Sequence, residues 1–106
     1  MKKIVYEKLV RDKIPEVINA TGKACAVEVL SNEQYLEMLD KKLLEELTEY
    51  QKEQNLEELA DLLEVLFATV KARGYSIEQL YQVCDEKRNA RGGFEKKLLL
   101  KWVEEK

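Results

Sequence analysis

Three helix-capping sequences divide most of this chain into helical segments. Each pairs a Ser or Asn with a Gln or Glu three residues later, which is the pattern of a capping box at a helix N-terminus. The three sequences are Ser31-x-x-Gln34, Asn55-x-x-Glu58 and Ser76-x-x-Gln79. We predict helices that run from these caps to about Gln54, Arg73 and Asn89.

Glycine and proline mark further helix ends. Gly74 follows the helix that begins after Asn55 and is expected to end it. A short additional helix is predicted over Ile14–Ala20, because Pro15 suits a first helical turn and Gly22 stands just past the last one.

Three short segments have patterns that differ from these helices. Lys3–Tyr6 is a possible short strand, and the alternation of side chains in Ala24–Leu30 predicts another. Lys97–Val103 fits either a strand or a short helix. We therefore expect one mainly-α domain over residues 1–106, a helical bundle with minor strands near the termini.

The composition excludes several classes of function. The balance of 21 acidic against 18 basic residues lacks the basic excess that binding to nucleic-acid polymers requires. No run approaches the roughly 18 to 20 apolar residues of a membrane span. The N-terminus lacks the apolar run of a signal peptide, and two widely separated cysteines are typical of free thiols. We expect a cytoplasmic protein.

The absence of histidine narrows the chemistry further. It removes the Ser-His-Asp and Cys-His arrangements and the usual zinc hydrolase sites. Metal-assisted chemistry with oxygen ligands is then the main catalytic option.

Two pairs of carboxylates stand at helical spacing on successive predicted helices. The pairs are Glu46-x-x-Glu49 and Glu58-x-x-Asp61. Residues three apart are neighbours on one helix face, so two antiparallel helices would bring these carboxylates together. Such a cluster needs a cation to neutralise it, and oxygen ligands favour Mg²⁺ or Mn²⁺.

The position of Glu46 strengthens this interpretation. Glu46 falls in the middle of the apolar stripe of its helix, where a carboxylate is costly unless it is paired or bound to a metal. Lys42, one turn earlier, is predicted to be an ion-pair partner within the helix. The alternative is that the acidic pairs form a solvated surface, since Glu and Asp are usually exposed.

The helix that follows Asn55 is apolar around most of its circumference. Beyond its first turn, a run of apolar residues extends from Leu62 to Val70 and is interrupted mainly by Glu64. A helix of this kind is buried on several sides, which a small chain can hardly achieve alone. We therefore expect subunits to share it in a homodimer or a higher homo-oligomer.

Basic residues cluster in two segments and are candidates for binding phosphate. The candidates are Arg11, Lys13, Lys87, Arg88 and Arg91. Guanidinium groups suit phosphate oxygens, and the Gly92-Gly93 pair allows close approach of the backbone to a ligand. The alternative is that the later residues complement a helix C-terminal dipole and that a glycine ends the helix.

Three sequence blocks resemble those of a known family. The acidic motifs Leu43–Glu49 and Glu57–Leu63 look like the EExxE…ExxD pattern of the MazG-like nucleotide pyrophosphohydrolases. Tyr6–Pro15 and Lys87–Phe94 are similar to a short single-domain branch of that family. It belongs to the all-α NTP pyrophosphatase superfamily, which also includes phosphoribosyl-ATP pyrophosphohydrolase. Eight residues separate the acidic motifs, fewer than in typical MazG domains, so a different nucleotide pocket is expected.

The resemblance implies a function. It implies Mg²⁺-dependent hydrolysis of a nucleoside triphosphate to monophosphate and pyrophosphate, with a role in nucleotide-pool house-cleaning. It also implies a helical bundle that is completed by oligomerisation. The metal ligands implied by position are Glu46, Glu49, Glu58 and Asp61. We expect Glu45 or Glu46 to accept a proton from the attacking water, and the basic candidates to neutralise phosphate charge. The rival functions are phosphoribosyl-ATP hydrolysis and a catalytically silent helical module for self-association.

Overall fold

The computed structural model describes residues 2–105 and has four helices over that range. They are α1 (Ile14–Ala20), α2 (Asn32–Glu53), α3 (Leu56–Ala72) and α4 (Ile77–Arg91). The predicted mainly-α class is confirmed, and the helix bounds lie close to those expected from the caps. None of the helices in the described range is both long enough and apolar enough to cross a membrane.

The capping residues form their hydrogen bonds at the starts of the helices. At α2, the Ser31 hydroxyl accepts the Gln34 N–H at 3.2 Å, and the Gln34 side chain accepts the Ser31 N–H at 3.2 Å. The same reciprocal pair of bonds caps α4. At α3, the Asn55 side chain accepts the Glu58 N–H at 2.9 Å. These bonds satisfy N–H groups that have no partner inside the helix.

Helices α2 and α3 form an antiparallel hairpin. Gln54 and Asn55 connect them, and Gln54 adopts the left-handed conformation with φ of 53°. Because this connection is so short, α3 returns along α2 and packs against it. At the far end of the hairpin, Arg73 Nη2 lies 3.5 Å from Asp40 Oδ2. The first turns of α3 consequently lie beside the later turns of α2, where the two acidic motifs are.

The apolar stripe of α2 is only partly covered. Among residues 2–105, two side chains are buried, and both belong to α2: Leu39 is 3% exposed and Glu46 is 9% exposed. Tyr35 and Leu43 are half-buried, whereas Leu47 is exposed. The structure confirms that Glu46 lies on the buried face of its helix.

Helix α3 keeps part of its apolar surface in contact with solvent. Leu62, Val65 and Phe67 are half-buried, whereas Leu63 and Leu66 are 46% and 40% exposed. The rest of the first unit, within the described residues, therefore does not cover this helix completely. The sharing of α3 between subunits stays a prediction.

The predicted strands are wrong, because residues 2–105 contain no strand. Lys3–Tyr6 and Ala24–Leu30 lie outside the helices, and the side chain of Val29 is 100% exposed. A strand is stabilised when its backbone groups pair with a neighbouring strand and its apolar face is covered. An alternating sequence pattern alone supplies neither a neighbouring strand nor a cover for the apolar face. Lys97–Val103 is also neither strand nor helix, and Leu98 within it is 84% exposed.

The chain divides into two compact units between Tyr75 and Ser76. The first contains α1, α2 and α3, and the second contains α4 and the segment that follows it. The expectation of a single domain over residues 1–106 stays a prediction. Both acidic motifs belong to the first unit.

Candidate metal centre

Three carboxylates gather between α2 and α3. One oxygen each from Glu46, Glu58 and Asp61 lies within 4.8 Å of the other two. Glu58 and Asp61 are three residues apart on α3, so they are neighbours on one face of it, and Glu46 meets them from α2. We call these three residues the acidic triad. The two-residue connection between the helices brings them together.

Glu46 is the most deeply placed member of the triad. It is 9% exposed, and a buried carboxylate is destabilising unless a partner neutralises it. Lys42 supplies that partner: its Nζ lies 3.2 Å from Glu46 Oε1 and 3.2 Å from Glu45 Oε1. The predicted ion pair within α2 is therefore confirmed, and Lys42 holds two carboxylates at once.

The segment before α1 adds two further cations beside the triad. Arg11 Nη2 lies 2.7 Å from Asp61 Oδ1, and Lys8 Nζ lies 3.7 Å from Glu45 Oε1. Residues that are close to the N-terminus thus reach the α2–α3 hairpin. The sequence carries no periodic signal for either contact, since Arg11 and Asp61 stand 50 positions apart. Only the opposite charges of the basic segment around Arg11 and of the acidic motifs could have suggested these contacts.

The pKa of the Glu58 carboxyl is raised above its ordinary value. Partial removal from water is the largest cause, followed by the negative charges of Asp61, Glu49, Glu46 and Glu53. No basic side chain in residues 2–105 forms an ion pair with Glu58. This corner of the triad therefore retains uncompensated negative charge, which either a proton or a cation would relieve.

Glu49 lies outside the triad. Its side chain is exposed, although its charge is near enough to contribute to the raised pKa of Glu58. The structure thus brings together three of the four carboxylates named as metal ligands and leaves Glu49 at the edge. Glu45, named with Glu46 as a proton acceptor, is half-buried and holds its two lysine partners.

The donor chemistry of the triad fits a hard divalent cation. All three side chains offer carboxylate oxygens, which Mg²⁺ and Mn²⁺ prefer and which zinc sites rarely use alone. Mg²⁺ commonly takes a few carboxylates and completes its shell with water and substrate phosphates. The partial exposure of Glu58 and Asp61 leaves such access from solvent.

The remaining phosphate-binding candidates lie in different parts of the chain. Lys13 is exposed at the start of α1. Lys87, Arg88 and Arg91 belong to the second unit and stand in the last turns of α4, where Arg88 Nη1 lies 3.4 Å from Asp85 Oδ1. A joint site of these residues with the triad stays a prediction.

Gly92 ends α4. The Gly92 N–H donates to the Arg88 carbonyl at 2.7 Å, with φ of 83°, so Gly92 ends the helix as the alternative interpretation expected. Arg91 lines a depression of about 500 Å³ together with the residues that run to Leu98.

Comparison with known proteins adds little to this description. No family model and no solved structure matches the chain. One relative is an uncharacterized protein of Mycolicibacterium smegmatis, 49% identical over 41 residues, which are 39% of this chain and 42% of the relative. The match therefore spans less than half of the length of that relative.

Proposed function

We propose that the protein hydrolyses a nucleoside triphosphate, or a related nucleotide, to the monophosphate and pyrophosphate with a divalent metal ion. The observation that carries the proposal is the acidic triad, in which Glu46 is buried on the apolar face of α2 and meets Glu58 and Asp61 from the next helix. The resemblance of the acidic motifs to the MazG-like family supports the same chemistry.

The carboxylates have distinct roles in this proposal. Glu46, Glu58 and Asp61 would hold the metal, with Glu49 as a fourth ligand from the exposed edge. Mg²⁺, or Mn²⁺ in its place, would supply positive charge to the phosphates and lower the pKa of a water molecule. Glu45 or Glu46 would accept the proton of that water, and Glu45 stands beside the triad without belonging to it.

The basic residues would neutralise the phosphate charge that redistributes as the bond breaks. Arg11 is the best placed of them, since it already lies against the triad. Lys13, Lys87, Arg88 and Arg91 complete the proposed set. Their approach to the phosphates is part of the proposal.

A thermal melt with metal and nucleotide tests the proposal directly. A ligand present at 100 times its dissociation constant should stabilise the fold by about 2.7 kcal/mol. We expect this gain with Mg²⁺ or Mn²⁺ and a matching nucleotide together, and a much smaller gain with either alone. The panel should include phosphoribosyl-ATP, which separates the rival substrate from nucleoside triphosphates. A melt that no combination shifts would favour a silent self-association module.

Self-association is proposed as well, and it is tested separately. The half-exposed apolar side chains of α3 motivate it, above all Leu63 and Leu66. Light scattering at micromolar concentration should give a mass of at least twice 12.4 kDa. Substituting both leucines by Ser should shift the mass towards the monomer. A wild-type mass near 12.4 kDa would overturn the proposed homo-oligomer.

A further inference from the structure

Arg11 forms an ion pair with a carboxylate of the acidic triad. Its Nη2 lies 2.7 Å from Asp61 Oδ1, within the range of a charge-assisted hydrogen bond. Asp61 is also one of the three residues whose oxygens gather within 4.8 Å. A guanidinium and a divalent cation repel each other at such distances, so both cannot lie closely against this carboxylate without an energetic cost.

The ion pair between Arg11 and Asp61 is open to solvent. The two side chains are 57% and 41% exposed, which means that water can replace either partner at small cost. The Arg11 backbone is held at the start of α1, where its carbonyl accepts the Ile14 N–H at 3.0 Å. The side chain can therefore change partner while its attachment point stays beside the triad.

We infer that Arg11 is an exchangeable counter-ion of the acidic triad: a divalent cation displaces it from Asp61, and the released guanidinium binds a phosphate of the nucleotide. This inference rests on the proposed function and adds a coupling between the metal and the substrate. Arg11 weakens the binding of the metal alone and strengthens the binding of the nucleotide that follows. A phosphate-binding arginine without this exchange would have only the second effect.

The opposite signs of these two effects can be measured on the full chain. Binding of Mn²⁺ alone, followed from the spin-resonance signal of the free ion, should be about two- to fivefold tighter in Arg11→Gln than in the wild type. With Mn²⁺ saturating, binding of an α,β-methylene nucleoside triphosphate should be at least about tenfold weaker in the same variant.

Arg73→Gln is the matched control. Arg73 forms the comparable exposed ion pair with Asp40, and its loss makes the same change in net charge. It lies just past the other end of α3, roughly 18 Å along the helix axis from Asp61. This is beyond the screening length of about 10 Å at 0.1 M salt. Its Mn²⁺ affinity should equal that of the wild type.

The outcomes separate this inference from the proposed function. If Glu46→Gln abolishes Mn²⁺ binding but Arg11→Gln matches Arg73→Gln in Mn²⁺ affinity, the exchange is overturned and the metal centre stands. If Arg11→Gln binds Mn²⁺ more tightly but keeps the nucleotide affinity of the wild type, the exchange is also overturned, because Arg11 would then be a counter-ion alone. If neither the wild type nor any variant binds Mn²⁺, both the proposed metal-dependent function and the Arg11 exchange are wrong.

Discussion

Replacing Glu46 by glutamine is expected to reduce metal-dependent nucleotide hydrolysis by more than about 100-fold. Substitution of a residue that merely supports a metal ligand typically costs 10- to 100-fold, so loss of a ligand carboxylate should cost more. Glutamine keeps the shape of the side chain on the buried face of α2, where Glu46 is 9% exposed. Steady-state hydrolysis over a range of Mg²⁺ concentrations measures the effect.

The fold of this variant should remain intact. Removing one charge relieves repulsion with Glu58 and Asp61, and Lys42 keeps Glu45 as a partner at 3.2 Å. Circular dichroism and a metal-free melt check this directly. Asp61→Asn should show a similar loss of turnover.

Glu37→Gln provides the matched control for Glu46→Gln. Glu37 stands on the same helix and is exposed, so this substitution makes the same chemical change away from the triad. It should keep the wild-type rate. Hydrolysis by Glu46→Gln at the rate of Glu37→Gln would remove Glu46 from the site.

Helix positions could be predicted well because the signals for them are local. Ser31 and Gln34 are three residues apart, and their reciprocal hydrogen bonds depend on little beyond the first turn of α2. The burial of Glu46 could also be predicted, because helical periodicity places it on the same face as Leu39 and Leu43. Each inference needed only the geometry of a single helix.

The wrong strand predictions, and the contacts that the sequence did not predict, concern features that need a partner elsewhere in the chain. Ala24–Leu30 has an alternating pattern, but a strand needs a neighbour for its backbone groups, and local sequence cannot show whether one exists. The contact of Arg11 with Asp61 spans 50 positions and depends on where the segment before α1 lies. The partial burial of Asp61 and the exposure of Glu49 depend likewise on how α2 and α3 pack.

Glu58 belongs to two sequence patterns, the capping box at the start of α3 and the second acidic motif. As the third residue after the N-cap Asn55, it was expected to close a capping box with its side chain. Its N–H does bond to Asn55, while its carboxylate lies with those of Glu46 and Asp61. The local sequence could predict the hydrogen bond at the N-cap, whereas the position of the carboxylate depends on how α2 and α3 pack.

Cleavage is expected between the α- and β-phosphates and not at the terminal phosphate. The acidic triad and Arg11, which are the proposed metal ligands and a proposed phosphate-binding group, lie together in one small region of the first unit. Under the proposed function, the triad addresses the α-phosphorus and basic side chains retain the departing pyrophosphate. Hydrolysis in ¹⁸O-labelled water should then put the label into the nucleoside monophosphate, with none in pyrophosphate.

Two substrate analogues make this test independent of contaminating enzymes. A β,γ-methylene nucleoside triphosphate keeps the oxygen between the α- and β-phosphates and should be hydrolysed to the monophosphate. The α,β-methylene analogue replaces that oxygen with carbon and should resist, while still competing for the site. Under the proposed function, Arg91→Ala should impair turnover of the cleavable substrate, because Arg91 is one of the residues proposed to bind the leaving pyrophosphate, and Arg73→Ala should not. Release of orthophosphate with accumulation of the diphosphate would show that the terminal bond breaks, and the proposed reaction would be wrong even if Mg²⁺ were required.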